Sequence, residues 1–465
     1  MPLLIRNADI VTVAERYTAD IWCEGETITR IGQNLPAPMG AEVIDARGRP
    51  VFPGFIDPHT HIYLPFMGTF AKDDYATASR AALVGGTTTI FDMCIPARDQ
   101  PPRKAFELWH SRSQGVSSCD WSYHMAVVRW DGEVERQMRE IVAAGVASFK
   151  VFLAYKGALD LDDAGLFQTL ALAKELGVVT TAHCENAEAI ARAQARLLAE
   201  KKTGPEFHYV SRPPRVEAEG VHHLCTFAEL TGARVYIVHL SCDEALRVAL
   251  EARHRGVDVA IETLIQYLIL DKSWAERPNF EGAKYVMSPP LRDKSNQSIL
   301  WNALRSGEIQ TVATDHAPFD YATQKPMGRD DFTRIPNGIP ALEERVPLLY
   351  THGVASGRID MHRFVDLAST QAARLFGLFP RKGTIQPGSD ADLVIYDPDY
   401  RGVLSHATQQ SAVDYNAFEG FELRGRPGVV TLRGRVMARD GQFVGTEGQG
   451  RFLARRTSGG VKDKQ

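Results

Sequence analysis

The chain has 465 residues, 44% hydrophobic and 24% charged, with a formal net charge of −4. The length exceeds one ordinary domain and the composition is that of a soluble globular protein. The near-balanced charge, with no long block of one sign, argues against nucleic acid or an acidic membrane surface as partner.

The first residues, Met1 to Asp9, lack the long apolar stretch of a signal peptide, and no apolar run reaches transmembrane length. Residues 1–50 read as short strands and turns: Leu3–Ile5, Ile10–Val13, Asp20–Cys23 and Ile28–Ile31. Spacing this tight predicts an antiparallel sheet. From about residue 54 strand-length apolar runs alternate with helix-length amphipathic segments, the pattern of a parallel α/β fold. The runs are Phe55–His61, Thr88–Asp92, Ser122–Val127, Ser148–Phe152, Val178–His183, Arg234–His239, Val257–Glu262 and Gln310–Asp315. Two of the intervening helices are marked by their ends: Asp162–Leu176, with Asp162 as N-cap and Gly177 as C′, and Asp243–Arg255, closed by Gly256. Eight such strands over roughly 260 residues is the arithmetic of a (β/α)8 TIM barrel.

The intervals 184–233 and 263–309 exceed what one helix needs, and extra length after a barrel strand usually builds the active-site mouth. Residues 316–340 are polar and turn-rich, with helices resuming at about 340–355 and 360–376. From about 382 short strands return: Gly383–Ile385, Ala391–Tyr396, Val429–Leu432 and Arg435–Ala438. The expected organisation is a catalytic barrel over 54–381. A small β-sandwich domain is expected from 1–53 and 382–465, because neither end alone buries much core. Residues 456–465 are expected to form a mobile tail. The six cysteines are scattered without a Cys-x-x-Cys pair, which fits reduced thiols in a cytoplasmic enzyme.

The chemistry collects at the strand ends. Run one closes in His59 and His61, whose side chains share a face because strand side chains alternate. Run four carries Lys150 inside an apolar strand. Runs five and six close in His183 and His239, and run eight closes in Asp315, followed by His316. Taken singly, each has an ordinary explanation: a hydrogen-bonded histidine, an aspartate capping a loop, a snorkelling lysine. Jointly they converge on the C-terminal mouth of a parallel barrel, where such folds keep their catalytic groups, and they point to a metal site. An ammonium would be repelled by metal cations. Lys150 belongs in such a cluster only if its neutral amine reacts with carbon dioxide to give an anionic carbamate.

These residues, with their neighbours, carry a resemblance that spans essentially the whole chain. The segments are Asp57-Pro58-His59-Thr60-His61, Phe149–Lys156, Ala182–Asn186, Val238–Cys242, Ser288–Arg292, Thr314-Asp315-His316, Gly328–Phe332 through Ile335–Gly338, and Pro387–Val394. The sequence resembles the amidohydrolase superfamily and, within it, the dihydropyrimidinase/D-hydantoinase family. The resemblance implies two divalent metals, zinc or in its place manganese or cobalt. One would be held by His59, His61, N6-carboxylated Lys150 and Asp315, the other by Lys150, His183 and His239, with hydroxide between them. It implies Asp315 as general base and then acid, and Tyr155 as the phenol that stabilises the oxyanion. It implies Ser288 and Asn337 as substrate-binding positions that act largely through the backbone. Leu64, Pro65, Phe66 and Phe152 match the loops that gate ring substituents. The implied reaction opens 5,6-dihydropyrimidines to N-carbamoyl-β-amino acids and hydantoins to N-carbamoyl amino acids. Family precedent implies a homotetramer or dimer acting on small molecules.

Dihydroorotase and allantoinase share the barrel. A dihydroorotase must bind a substrate carboxylate and typically follows His-x-His with x-Arg. Here Ile62-Tyr63 follow, which argues against that activity and mildly against allantoinase. Metal-free, non-enzymatic relatives have lost metal ligands that this chain keeps.

Overall fold

The structure is a computed structural model and describes residues 2–37 and 39–457. Its centre is an eight-stranded parallel sheet with strands in sequence order: Phe55–Thr60, Thr87–Cys94, Asp120–Ala126, Ser148–Phe152, Val179–His183, Val235–Ile237, Val259–Leu264 and Thr311–Ala313. The first and last strands close the ring through a parallel bridge between Thr60 and His316, where the His61 N–H donates to the His316 carbonyl at 2.8 Å. All eight expected runs are strands of this barrel. Two end two residues before their apolar runs do: strands six and eight stop at Ile237 and Ala313. His239 and Asp315 follow in left-handed turns, with φ of 43° and 51°. Such conformations are uncommon outside glycine and cluster at functional sites.

Helices pack outside the ring. The helix Asp163–Leu176 starts on Asp162, whose carboxylate accepts from the Gly165 N–H, and stops at Gly177 with φ of 65°, as its sequence predicts. Asp243–His254 forms the second expected helix.

The two chain ends meet in one nine-stranded sheet. Pro50–Pro53 is its keystone, parallel to the N-terminal strand Leu3–Val11 and antiparallel to Leu393–Val403 from the far end of the chain. Leu3, Ile5, Ile10, Ile21, Val51, Leu393, Ile395 and Val429 bury a core common to both ends. Two expected strands, Leu3–Ile5 and Ile10–Val13, are one strand with an irregularity between Ile5 and Ala8, where Asn7 takes φ of 54°. Gly383–Ile385 is not a strand; Gly383, at φ of 82°, makes a bend there. The apolar run Phe52–Ile56 also divides, at Gly54, between the outer sheet and the barrel. A Cβ at Gly54 would lie 2.2 Å from Thr88 Oγ1 and 2.8 Å from Asp392 Cβ, so the crossover needs glycine.

Near the C-terminus the chain runs back along barrel strand three. The Trp121 N–H donates to the Arg451 carbonyl and the Leu453 N–H to the Trp121 carbonyl. The Arg455 side chain donates to Ser122 Oγ, Ser148 Oγ and the Tyr123 carbonyl beneath the ring. Of the expected tail 456–465, residues 458–465 lie outside the described residues.

Candidate metal centre and active site

The expected ligands share one mouth. His59 and His61 lie with ring centroids 5.2 Å apart, and their Nε2 atoms are 3.1 Å and 2.9 Å from Asp315 Oδ1. His59 stacks toward His239, centroids 5.5 Å apart, and His239 meets His183 at 4.5 Å. Lys150, fully buried, has its Nζ 4.9 Å from the Phe152 ring centroid. A small cavity, about 40 Å³ in volume, is lined by five of the six expected ligands, His61, Lys150, His183, His239 and Asp315. Tyr155, Ser288 and Asn337 line it too, as do Leu64, Phe66 and Phe152. His59 lies behind it, without solvent exposure. Pro65, the other expected gate residue, does not line this cavity but an adjoining one, which Phe66, Tyr155 and Asn337 share.

The donor atoms fit a metal. Lys150 Nζ, His59 Nε2, His61 Nδ1 and His239 Nδ1 are buried without a hydrogen-bond partner, His59 Nε2 being close to Asp315 in distance but out of line. Unpaired buried polar atoms are costly, and so many on the expected ligands are compatible with a bound cation. His59, His61 and Asp315 offer ligand atoms that all lie within 4.8 Å of one another. Burial, then the positive charges of Lys150 and Arg212, hold the His183 ring well below its ordinary pKa, and burial does the same for His239. Both are thus kept as neutral donors. Burial also lowers Lys150 to about 8 against the opposing pull of Asp315 and Glu262, which brings the neutral amine within reach near physiological pH. Burial alone would raise Asp315, but His59 and His61 outweigh it and hold the carboxylate well below its usual range.

A second layer aims these rings. Glu262, fully buried, accepts from His59 Nδ1 at 2.7 Å, from the His239 backbone N–H at 2.9 Å and from the Tyr236 hydroxyl at 2.7 Å. The bond at Nδ1 leaves His59 Nε2 for the cavity side. Glu185 accepts from His183 Nε2 at 2.7 Å and from Arg212 at 2.5 Å. Carboxylates behind metal-binding histidines fix tautomer and orientation in this way. Sequence reasoning assigned no role to either residue. The available signal for Glu262 was a carboxylate at the end of an apolar run, and for Glu185 a position two residues after His183.

Tyr155 stands at φ of 65° on the loop after strand four, its ring 5.3 Å from the His183 ring and at right angles to Phe66 at 5.3 Å. Burial raises its phenol to about 12, so it keeps its proton and can donate it in a hydrogen bond. Asn337 Nδ2 donates to Ser288 Oγ at 3.0 Å, so these two expected substrate positions touch. Pro65–Phe66 and Thr69–Phe70 form a two-stranded hairpin over the mouth, an element absent from the sequence reading. Tyr63 faces away from the ligands: it stacks beneath the Arg112 guanidinium at 4.3 Å. Among the described residues no arginine lines the metal-side cavity.

A parallel barrel with histidine, lysine and aspartate donors gathered at its mouth is an arrangement compatible with metal-assisted hydrolysis. Residues 51–437 match the model of the amidohydrolase family. The chain is 46% identical to a D-hydantoinase of Geobacillus stearothermophilus, over 100% of this chain and 99% of that one. It is 38% identical to a dihydropyrimidinase of Rattus norvegicus, over 98% and 89%. A solved D-hydantoinase (dihydropyrimidinase) from Thermus sp. superimposes with a TM-score of 0.97 at 61% identity, covering 98% of this chain and 99% of that one. The chain belongs to the amidohydrolase family and, within it, to the dihydropyrimidinase/D-hydantoinase group.

Proposed function

We propose that the protein is a cyclic amidase that opens the ring amide of 5,6-dihydropyrimidines and of 5-substituted hydantoins, giving N-carbamoyl-β-amino acids and N-carbamoyl amino acids. The observation that carries this reading is the cluster of unpartnered nitrogen donors around Asp315, in a cavity whose other wall is apolar. The relatives named D-hydantoinase and dihydropyrimidinase supply the substrate class.

In this reading His59, His61, Asp315 and a carboxylated Lys150 would hold one divalent metal, and Lys150, His183 and His239 would hold a second. When bound, the pair lowers the pKa of water toward neutrality and polarises the scissile carbonyl. Zinc suits the histidine and oxygen donors, with manganese or cobalt able to take its place. Asp315, ionised throughout the neutral range, accepts a proton from the attacking water and delivers it to the leaving ring nitrogen. Tyr155 keeps its phenolic proton and donates a hydrogen bond to the oxyanion that develops on the attacked carbonyl. Ser288 and Asn337 hold the uncleaved side of the ring through backbone groups. Leu64, Phe66 and Phe152 form the wall that receives the ring substituent and excludes water.

Ile62-Tyr63 and the absence of an arginine among the residues lining the metal-side cavity weigh against a carboxylated ring such as dihydroorotate. Allantoin is the next substrate in order. The barrel over 54–381 would be the catalytic unit and the merged ends its β-domain. The six free, buried cysteines suit a cytoplasmic setting. Among the described residues no helix is long and apolar enough to cross a membrane. A homotetramer or dimer is the expected assembly. A turnover panel of dihydrouracil, 5-substituted hydantoins, allantoin and dihydroorotate on metal-loaded protein tests the reading. Turnover confined to allantoin or dihydroorotate, or none at all with metal bound, rejects it.

A further inference from the structure

Lys325 opens a short turn, Lys325–Gly328, in the polar stretch after the last barrel strand, yet its side chain has no solvent exposure. Its Nζ donates to three backbone carbonyls: Pro336 at 2.7 Å, Gly338 at 2.9 Å and Val286 at 3.3 Å. Three donations from one nitrogen require the ammonium, since a neutral amine has only two protons. No carboxylate pairs with it among the described residues, and burial alone pulls its pKa down to about 7. A buried charge without an ionic partner is expensive and is found where something else depends on it.

The three carbonyls belong to two loops. Pro336 and Gly338 flank Asn337, and Val286 lies two residues before Ser288. The Gly338 N–H donates to the Val286 carbonyl at 2.9 Å, and the Asn337 amide donates to Ser288 Oγ, so the loops are laced at the same point. Gly338 has φ of 150° and presses on Ala317, where a Cβ would lie 2.1 Å from the carbonyl oxygen. The peptide unit joining Pro336 to Asn337 has its oxygen held by Lys325. Its N–H has no acceptor among the described residues. A carbonyl that accepts from an ammonium polarises its whole peptide group and makes the attached N–H a stronger donor.

We propose that Lys325 is a positioning residue for substrate binding: it clamps the two loops and primes the Asn337 backbone N–H to receive an acceptor atom on the uncleaved side of a cyclic imide or ureide ring. The inference rests on the reading that Asn337 holds that side of the ring. Lys325 touches neither the ligands nor the reacting atoms, so its loss acts on ring binding and not on the chemical step.

Amide hydrogen exchange and steady-state kinetics on metal-loaded wild type and Lys325→Met test this. In the variant, exchange at the Gly338 amide accelerates and KM for dihydrouracil rises about 10- to 100-fold, as loss of charge-assisted hydrogen bonds entails. Meanwhile kcat stays within about threefold, as for a group that holds ground state and transition state alike, and metal content is unchanged. Lys325→Gln keeps two donors but no charge; it gives an intermediate KM and serves alone should Lys325→Met not fold. Unchanged Gly338 exchange overturns the clamp. Faster exchange with unchanged KM, or a fall in kcat at constant KM, overturns the positioning role. Failure of wild type to turn over any cyclic amide rejects the proposed function instead, and the exchange result still decides whether the clamp exists.

Discussion

Lys150 and Asp315 are both expected metal ligands, and substitution separates what each does. Lys150→Ala removes the bridging anion: metal analysis should find the pair lost, with activity lost alongside it. Restoring metal to stripped wild-type protein should require bicarbonate. Asp315→Asn keeps an oxygen ligand but no base; much of the metal should stay while kcat falls by about 10²- to 10⁴-fold. Near-normal turnover in either variant would defeat the mechanism. Glu262→Gln leaves the first layer intact and disturbs its aim, so metal affinity should fall about 10- to 100-fold in a competition titration with a chelator. The convergence of the six expected ligands was legible in the sequence because strand alternation and barrel geometry carry each histidine, Lys150 and Asp315 to one end. Glu262 was not, because it looked like the end of its run. The strand continues to Leu264, and that places the carboxylate inside the ring behind His59. Lys325 was illegible for another reason: it sits in a polar, turn-rich stretch, and only the folded loops reveal that it is buried.

At the scale of elements, the eight barrel strands and the marked helices followed from periodicity and caps, and the joining of the two chain ends from their want of core, while the particular strand partners did not. Nothing local to Pro50–Pro53 announces that its partner is Leu393–Ile395, more than three hundred positions later. The hairpin Pro65–Phe70 escaped for the opposite reason, since two-residue strands carry no periodicity to detect. It brings Phe66 into the cavity wall with Leu64 and Phe152, so it should discriminate among substituents. Phe66→Ala removes a ring from that wall, where an aromatic contact with an aryl substituent would be worth about 1 kcal/mol. It should lower kcat/KM for an aryl-substituted hydantoin by roughly fivefold to tenfold, and leave unsubstituted dihydrouracil nearly unchanged. Equal loss on both substrates would assign Phe66 to packing alone.

At the scale of the molecule, the barrel and the outer sheet are joined by a buried cluster. Lys382 Nζ lies 2.6 Å from Asp120 on barrel strand three, 3.0 Å from Asp390 and 2.5 Å from Asp392, and Arg433 also donates to Asp120. Burial works to raise the Asp120 carboxyl, but Lys382 and then Arg433 outweigh it and leave the pKa below its ordinary value. A carboxyl depressed in the folded state adds stability above its unfolded pKa of about 3.9, and that stability drains away as pH falls through the lower folded value. Unfolding midpoints should therefore drop as pH falls below about 4. Lys382→Met, which leaves buried carboxylates unpaired, should cost about 3–5 kcal/mol at neutral pH. The gap between variant and wild type should narrow as the pH is lowered into the acid range and carboxylates of the cluster protonate. A gap that is constant with pH in denaturant titrations would mean that the cluster contributes packing and not charge.

The seam between the first and last barrel strands has a consequence for the order of events. Thr314 donates to Asp57 across 257 positions of sequence, and on either side of that joint stand His59, His61 and Asp315. Segments so far apart meet late, because their approach must be paid for in chain entropy before any contact repays it. On a growing polypeptide His59 and His61 emerge long before the aspartate that completes their set. The intact ligand set therefore exists only in a finished ring, and a tightly held ion amounts to a receipt for completed folding.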